Sequence, residues 1–287
     1  MVMKKILLQL DTDAQPSVFD AVTAYDGGAD IVLQYCAITP VNVVPLLHGV
    51  MFTRGGEGIK NSAVFIGGSD VAKGEALLDT IKSNFFGKSR NSVMHDSNGC
   101  NTTAAAAVAK LSRTIDLRGR KAVVLAGTGP VGLRAALFLS DEGASVTVTS
   151  RRLEKAGKAC EYLENRFGAK VEPAKAHDED STRKVLEGAT VVLCTGTAGT
   201  MLLPEVIWKG HETLKALADL NAVPPYGIEN IGAKWDGENV GGQVLFGPLG
   251  IGKLKLKAQR TCVGRLFETN DLVLDAREIY KIVKKMQ

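Results

Sequence analysis

Short apolar runs alternate with segments of helical period along almost the whole chain. Ile6–Leu10, Ile31–Tyr35, Ala63–Ile66 and Val93–His95 are brief, apolar and bounded by turn formers, the pattern of strands buried on both faces. Helices are predicted between them over Pro16–Tyr25, Thr39–His48 and Asp70–Phe86. The last has apolar residues at 71, 77, 78, 81, 85 and 86, close to a 3.6-residue period. Gly27-Gly28 ends the first helix; Thr39 is expected to cap the second, with Pro40 preset for its first turn. Asn101–Arg113 is alanine-rich and predicts a further helix.

A second series begins after Leu117-Arg118-Gly119. Strands are expected at Lys121–Ala126, Ser145–Thr149, Ala169–Ala174, Thr190–Cys194 and Leu214–Leu220. Helices are expected at Pro130–Glu142, Leu153–Phe167 and Asp180–Glu187. Val240–Pro248 is glycine-rich and reads as irregular, and Ile251–Phe267 and Asp275–Met286 read as closing helices. Repeated strand–helix units predict an α/β protein of two parallel-sheet domains, one of Rossmann type, with a cleft between them. The tail has no strand ahead of it and is expected to cross back onto the first domain. The expected division is residues 1–107 plus 254–287 for a substrate domain and 108–253 for a dinucleotide domain.

Length and composition agree with this organisation. The 287 residues suit two domains, and 45% hydrophobic with 23% charged residues is ordinary for a globular chain. No apolar stretch approaches the roughly 20 residues of a membrane span. No secretory signal is visible, because Asp11 interrupts the run after Lys4-Lys5. A soluble cytoplasmic protein is expected. A net charge of +4 from 35 basic and 31 acidic residues, evenly spread, gives no reason to expect nucleic acid as a partner. Five cysteines without a C-x-x-C and four histidines without metal-ligand spacing predict reduced thiols and no metal.

The most specific local signal follows the strand at Lys121–Ala126. Gly127-Thr128-Gly129-Pro130-Val131-Gly132 is G-x-G-x-x-G between a strand and a helix. Gly127 allows the tight turn, Gly129 lets backbone approach a pyrophosphate, and Gly132 lets helix and strand pack closely. Amides at the helix start then face phosphate. The end of the next strand selects the cofactor. NAD sites place a carboxylate there to bind the ribose hydroxyls, about 20 residues on. This chain has Ser150-Arg151-Arg152, beginning eighteen residues after Gly132, a hydroxyl and two guanidiniums suited to a 2′-phosphate. NADP is the expected cofactor. Thr195-Gly196 and the loop containing Asn221 follow later strands and are expected to face the nicotinamide.

Across the expected cleft, two polar loops end strands of the first domain. One carries Asp13 and Phe19; the other runs Asp96-Ser97-Asn98-Gly99-Cys100-Asn101-Thr102-Thr103, with Ser97 or Asn101 as helix cap. Asp13, Asn98, Thr102 and Thr103 are candidate substrate ligands. Lys255 and Gln259 stand four apart, on one helical face. There is no G-x-S-x-G, Cys–His pair or carboxylate pair, in keeping with hydride transfer, where the cofactor supplies the difficult chemistry.

The segments around DTDAQPSVFD, SNGCNTTAAA, VVLAGTGPVG, AVPPYGI and GIGKLKLK together resemble the NADP-dependent methylene-tetrahydromethanopterin dehydrogenases of methylotrophic bacteria, members of which also oxidise methylene-tetrahydrofolate. The resemblance covers nearly the whole chain. It implies a pterin domain built from both chain ends, a homotrimer, and a pterin site lined by Phe19, Thr103 and Lys255. Many such proteins carry a His four residues after that lysine; this chain has Gln259. The implied reaction moves a hydride from the methylene carbon to NADP and leaves a methenyl cation, with no proton to remove. Folate dehydrogenase/cyclohydrolases use a Y-x-x-x-K pair, but Tyr25 is followed four on by Ala29 and Tyr35 by Thr39, so no cyclohydrolase is expected. The alternatives are a folate-only methylene dehydrogenase and a nonenzymatic NADP-binding redox sensor.

Overall fold

Apolar runs with no polar face require cover on both sides, and the chain supplies it by returning a helix after most strands. The computed structural model describes residues 3–287. The chain forms two compact units. One runs to Thr102 and resumes over Leu256–Ile282; the other spans Thr103–Lys255 with Val283–Lys285.

The first unit contains β1 (Ile6–Asp11), α1 (Val18–Asp26), β2 (Ile31–Tyr35), α2 (Val43–Phe52), β3 (Ser62–Gly67), α3 (Val71–Ser83) and β4 (Ser92–His95), and then enters α4 (Cys100–Thr114). β3 is buried at every position. It pairs in parallel with β1, Leu8 opposite Val64 and Leu10 opposite Ile66. Leu47, Met51, Leu77, Leu78 and Ile81 from α2 and α3 join these side chains in one buried cluster. β2 is an edge strand whose residues stay half-exposed or exposed.

The second unit continues with β5 (Lys121–Leu125), α5 (Pro130–Asp141), β6 (Ser145–Ser150), α6 (Leu153–Phe167), β7 (Glu172–Lys175), α7 (Glu179–Leu186), β8 (Ala189–Cys194), α8 (Glu205–Trp208), β9 (Ala216–Asp219), β10 (Asp236–Val240), β11 (Gln243–Phe246) and α9 (Pro248–Arg265). Among the described residues the strands form a seven-stranded sheet in the order β10-β11-β9-β8-β5-β6-β7. Only β10–β11 is antiparallel. The order reverses between β5 and β8, which opens a crevice at their carboxyl ends. Val123, Leu125, Val192, Trp208, Leu217 and Leu245 lie in the core of this unit. α9 leads back to the first unit, where β12 (Val273–Leu274) and α10 (Ala276–Lys284) close the chain. The first unit's sheet then has the order β12-β4-β3-β1-β2, all parallel, reversing between β1 and β3.

Four local expectations are corrected. The tail does contain a strand: β12 pairs in parallel with β4, Val273 opposite Val93, and at two residues is too short to leave a pattern. The glycine-rich stretch is an ordered hairpin. Gly241 and Gly242 both take positive φ, as a two-residue turn requires, but the exposed polar β10 hides the strand signal. α2 begins at Val43, and Thr39 does not cap it. Asn42 folds back instead, Oδ1 accepting from the Thr39 amide at 2.7 Å and Nδ2 donating to the Ala37 carbonyl, which makes a turn of Thr39–Asn42. Neither Ser97 nor Asn101 caps α4. The buried Asp96 carboxylate accepts the Asn101 and Thr102 amides, each at 3.0 Å, while Asn101 sits inside the helix and donates to the His95 carbonyl. A carboxylate holds two amides more strongly than a hydroxyl or carboxamide holds one.

The α5–β5 approach is the tightest packing demand of the fingerprint. A methyl group on Gly132 would stand 2.6 Å from the Gly127 Cα and carbonyl oxygen, whereas one on Gly129 would meet nothing within 4 Å. Gly132→Ala is therefore expected to destabilise the protein by about 1–3 kcal/mol, the cost of overpacking, and Gly129→Ala to leave thermal unfolding unchanged. Differential scanning calorimetry checks this; equal melting temperatures for the two variants would refute the packing account.

Candidate functional site

The carboxyl ends of β5, β6 and β8 bound a cavity of about 660 Å³ in the second unit. Ala126 follows β5, held at φ +52° with its amide donating to Thr149 Oγ1, and the Gly127 amide donates to the Thr149 carbonyl. These bonds turn the chain sharply. Gly129 then serves as N-cap of α5 with Pro130 in the first turn. The helix presents its amino-terminal turn and positive dipole end at the cavity, beside the open space at Gly129.

Of the sequence-predicted cofactor residues, the cavity wall brings together Thr128, Gly129, Ser150, Arg151, Arg152, Thr195 and Gly196. Gly127 and Gly132 lie behind it as packing glycines, and Pro130 and Val131 shape the first turn of α5. Ser150 ends β6, and Arg151 and Arg152 are exposed at the start of α6. Lys155, one turn into α6, lines the same cavity and was missed in the sequence reading. Its signal was available, since residues three and four apart share a helix face. Thr182 of α7 completes that end. Thr195 is stitched to β5, its amide and Oγ1 each donating to the Leu125 carbonyl at 3.1 Å.

Asn221 is not on the cavity wall. It is buried, and its carboxamide joins two loops: Oδ1 accepts from the Gly199 and Val223 amides, and Nδ2 donates to the Pro225 carbonyl. Asp219, at the end of β9, is wholly buried and accepts the Asn221 and Ile228 amides, both at 2.9 Å. Burial raises its carboxyl pKa from the ordinary value, and the surrounding backbone amides oppose that rise.

In the first unit, polar groups gather where β1, β3 and β4 end. Asp11 is buried, with Oδ1 accepting the Asp13 amide and Oδ2 the Ser17 amide. Asp13 in turn accepts the amide and hydroxyl of Ser69, both at 2.9 Å, which ties the loop after β1 to the loop after β3. Ser17 caps α1 through the Asp20 amide, and the next residue but one, Phe19, is 52% exposed in the first turn. Gln259 of α9 is fully buried and donates from Nε2 to Asp20 Oδ1 at 2.7 Å. Asn98 is exposed with φ +55° and its amide donates to the Gly68 carbonyl. The Thr102 hydroxyl is buried and donates to Asp96 Oδ2 at 2.6 Å. Thr103 and Lys255 are half-exposed, on α4 and α9.

Nothing in this chemistry points to a nucleophile. Burial pushes the Cys262 thiol up to about 12 and the Cys194 thiol well above its usual value, so both stay protonated at neutral pH. Among the described residues no group of three or more His, Cys, Asp or Glu could hold a metal ion, and no helix is long and apolar enough to cross a membrane. A second cavity of about 460 Å³, lined by Arg120, Glu212 and Lys215, lies at the amino ends of β5, β8 and β9, opposite to where such sheets bind ligands.

Comparison with known proteins follows the same division. A family model described as methylene-tetrahydromethanopterin dehydrogenase, N-terminal, matches residues 18–98, and an NAD(P)-binding family model matches residues 114–226. The bifunctional protein MdtA of Methylorubrum extorquens strain AM1 is 47% identical over 285 residues, covering 99% of each chain. The NAD(P)-dependent methylenetetrahydromethanopterin dehydrogenase of the same strain is 29% identical over 293 residues, covering 97% of each. Among solved structures, 5-ketofructose reductase of Gluconobacter sp. strain CHM43 is similar in fold, with a TM-score of 0.53, 14% identity and 99% of each chain covered. With 47% identity along its whole length to one relative, and the family model over residues 18–98, the chain belongs to the methylene-tetrahydromethanopterin dehydrogenase family.

Proposed function

We propose that the protein is an NADP-dependent dehydrogenase of the CH–NH class. It moves a hydride from methylene-tetrahydromethanopterin, and in a second capacity from methylene-tetrahydrofolate, to NADP and leaves the methenyl form, a step of cytoplasmic one-carbon oxidation in methylotrophy. The observation that carries the reading is the cavity at the β5–β8 reversal. An α5 amino terminus and open backbone at Gly129 fit a pyrophosphate, and Ser150, Arg151, Arg152 and Lys155 stand at the end of β6, where no carboxylate is present. When bound, NADP supplies the hydride acceptor.

The residues of the chain then have to bind, orient and exclude water. Arg151 and Arg152 fork onto the 2′-phosphate, with Lys155 as a third cation. The residues of the first unit and α9 hold the pterin. Phe19 offers an exposed aromatic face, and Thr103 and Lys255 offer hydrogen bonds to pterin polar atoms. Thr102, with its hydroxyl committed to Asp96, and Asp13, committed to Ser69, support the loops that carry Asn98 and Phe19. Gln259 is a neutral amide on Asp20, so it adds no charge beside a product that is a cation. No general base is required, because only a hydride leaves the methylene carbon.

A homotrimer, implied by the family resemblance, is part of the proposal. Val18, Val22 and Tyr25 make one exposed apolar face of α1, and the edge strand β2 exposes Leu33 and Tyr35. Exposed apolar side chains on a helix face and on an edge strand fit burial against another copy.

The decisive assay follows absorbance at the NADPH and methenyl-pterin bands with both methylene substrates and both nicotinamides. Turnover of a methylene-tetrahydropterin with NADP is expected; NADP binding with no turnover of either substrate would favour a redox sensor. Replacing Arg151 and Arg152 together by Ala is expected to raise the KM for NADP on the order of 10–100-fold, from lost charge-assisted bonds, and to change the KM for NAD little. Equal losses with both cofactors would remove these arginines from the 2′-phosphate site. Lys255→Ala is expected to lower kcat on the order of a hundredfold through misalignment with NADP affinity intact, while the exposed neighbour Lys257→Ala stays near wild type; matching activities would take Lys255 out of the pterin site. Light scattering is expected to give about three times the 30.5 kDa of one chain, and a monomer mass would overturn the trimer.

A further inference from the structure

The 2′-phosphate end and the pyrophosphate end of the cavity are built from β5, β6 and the starts of their helices, with Ala176 after β7 and Thr182 of α7. The remaining wall is a single loop, residues 195–203 after β8, which supplies Thr195, Gly196, Thr197, Thr200 and Leu202. A dinucleotide with its 2′-phosphate at Arg151 and its pyrophosphate at Gly129 leaves only this wall for its nicotinamide half. The loop has no regular secondary structure of its own. Its conformation has to come from its neighbours.

Two routes connect it to one carboxylate. Asp219 Oδ1 accepts the Asn221 amide, and the Asn221 carboxamide then accepts the Gly199 amide at 3.2 Å. Asp219 Oδ2 accepts the Ile228 amide, and the adjoining Gly227 carbonyl accepts the Leu202 and Leu203 amides at 2.8 and 2.9 Å. The Leu202 side chain presses on Gly196, where an added methyl would stand 2.7 Å from its Cδ1. Gly227 has no room either: a methyl there would lie 2.7 Å from Asp219 Oδ1 and 3.1 Å from the Cys194 Cβ. The carboxyl group is wholly buried and accepts backbone amides of the second loop, so a polar group kept in the interior holds these two loops.

We propose that Asp219 is the positioning residue of the nicotinamide half of the cofactor site: it touches no cofactor itself, and through Asn221 and Gly227 it sets the wall formed by residues 195–203. This rests on the reading of the cavity as an NADP site. A carboxylate suits the task because both oxygens face N–H donors. Asp219→Asn keeps the shape but turns an NH2 toward one of them, so one route is broken.

The test is isothermal calorimetry on full-length wild-type and variant protein with two ligands, NADP and adenosine 2′,5′-bisphosphate, which carries the adenine and the 2′-phosphate but no nicotinamide. Asp219→Asn is expected to weaken NADP at least tenfold and to change the bisphosphate less than twofold. The fluorescence of bound NADPH, which reports the surroundings of the nicotinamide, is expected to fall toward that of free NADPH. Asn221→Ala breaks the first route without touching the buried carboxyl group. It is expected to show the same selective loss, and it carries the test alone should Asp219→Asn not fold. Equal weakening of both ligands, or no weakening of either, in the folded variants would overturn the proposal. A wild-type protein that binds neither ligand would overturn the NADP reading itself, and this proposal with it.

Discussion

Where a parallel strand ends, the amides of the following loop lose their ladder partners, and in a buried setting each needs another acceptor. This protein meets the need with buried aspartates. Asp11 at the end of β1 takes the Asp13 and Ser17 amides, Asp96 after β4 takes those of Asn101 and Thr102, and Asp219 at the end of β9 takes those of Asn221 and Ile228. All three carboxylates are within 1% of full burial. An unsatisfied buried amide is costly, and a carboxylate accepting two amides is stronger than two neutral acceptors. Each aspartate therefore fixes one turn of backbone: the loop between β1 and α1 for the first, the start of α4 for the second, and the loop after β9 for the third.

This arrangement suits a reaction that moves only a hydride. Such a step asks for alignment and for a surface without competing acids or bases, and it makes no use of a tuned nucleophile. The strongly buried groups here are placed to hold backbone, and the Cys194 and Cys262 thiols are kept protonated by burial. The exposed polar groups, Arg151, Arg152 and Lys155, collect at the one end of the cavity where a doubly charged group is expected. Arg118 shows the contrast. It also belongs to a basic cluster, but its guanidinium is bound to Asp116, whose carboxyl is lowered to about 2 chiefly by that hydrogen bond, so it is committed within its own loop.

The alternation of strand and helix, the fold class and the dinucleotide fingerprint were legible in the chain itself because they depend on local chemistry. A buried parallel strand must be apolar throughout, and a tight strand–helix turn must be built from small residues; each requirement marks consecutive positions. The resemblance to methylene-tetrahydromethanopterin dehydrogenases was legible for the same reason, since its segments are contiguous. What escaped was whatever depends on distant partners. β12 is two residues that become a strand only beside β4, and β10 is a polar edge that becomes a strand only beside β11. Lys155 reaches the cavity only because α6 turns it there. Asp96, Asp219 and Asn221 look like ordinary turn residues until folding closes off water. By itself the sequence determined which segments could be strands, helices and a phosphate-binding turn. Only the tertiary structure decided which polar side chains were buried as acceptors for backbone and which stayed open, because burial, and with it the worth of a hydrogen bond, is set by residues far away along the chain.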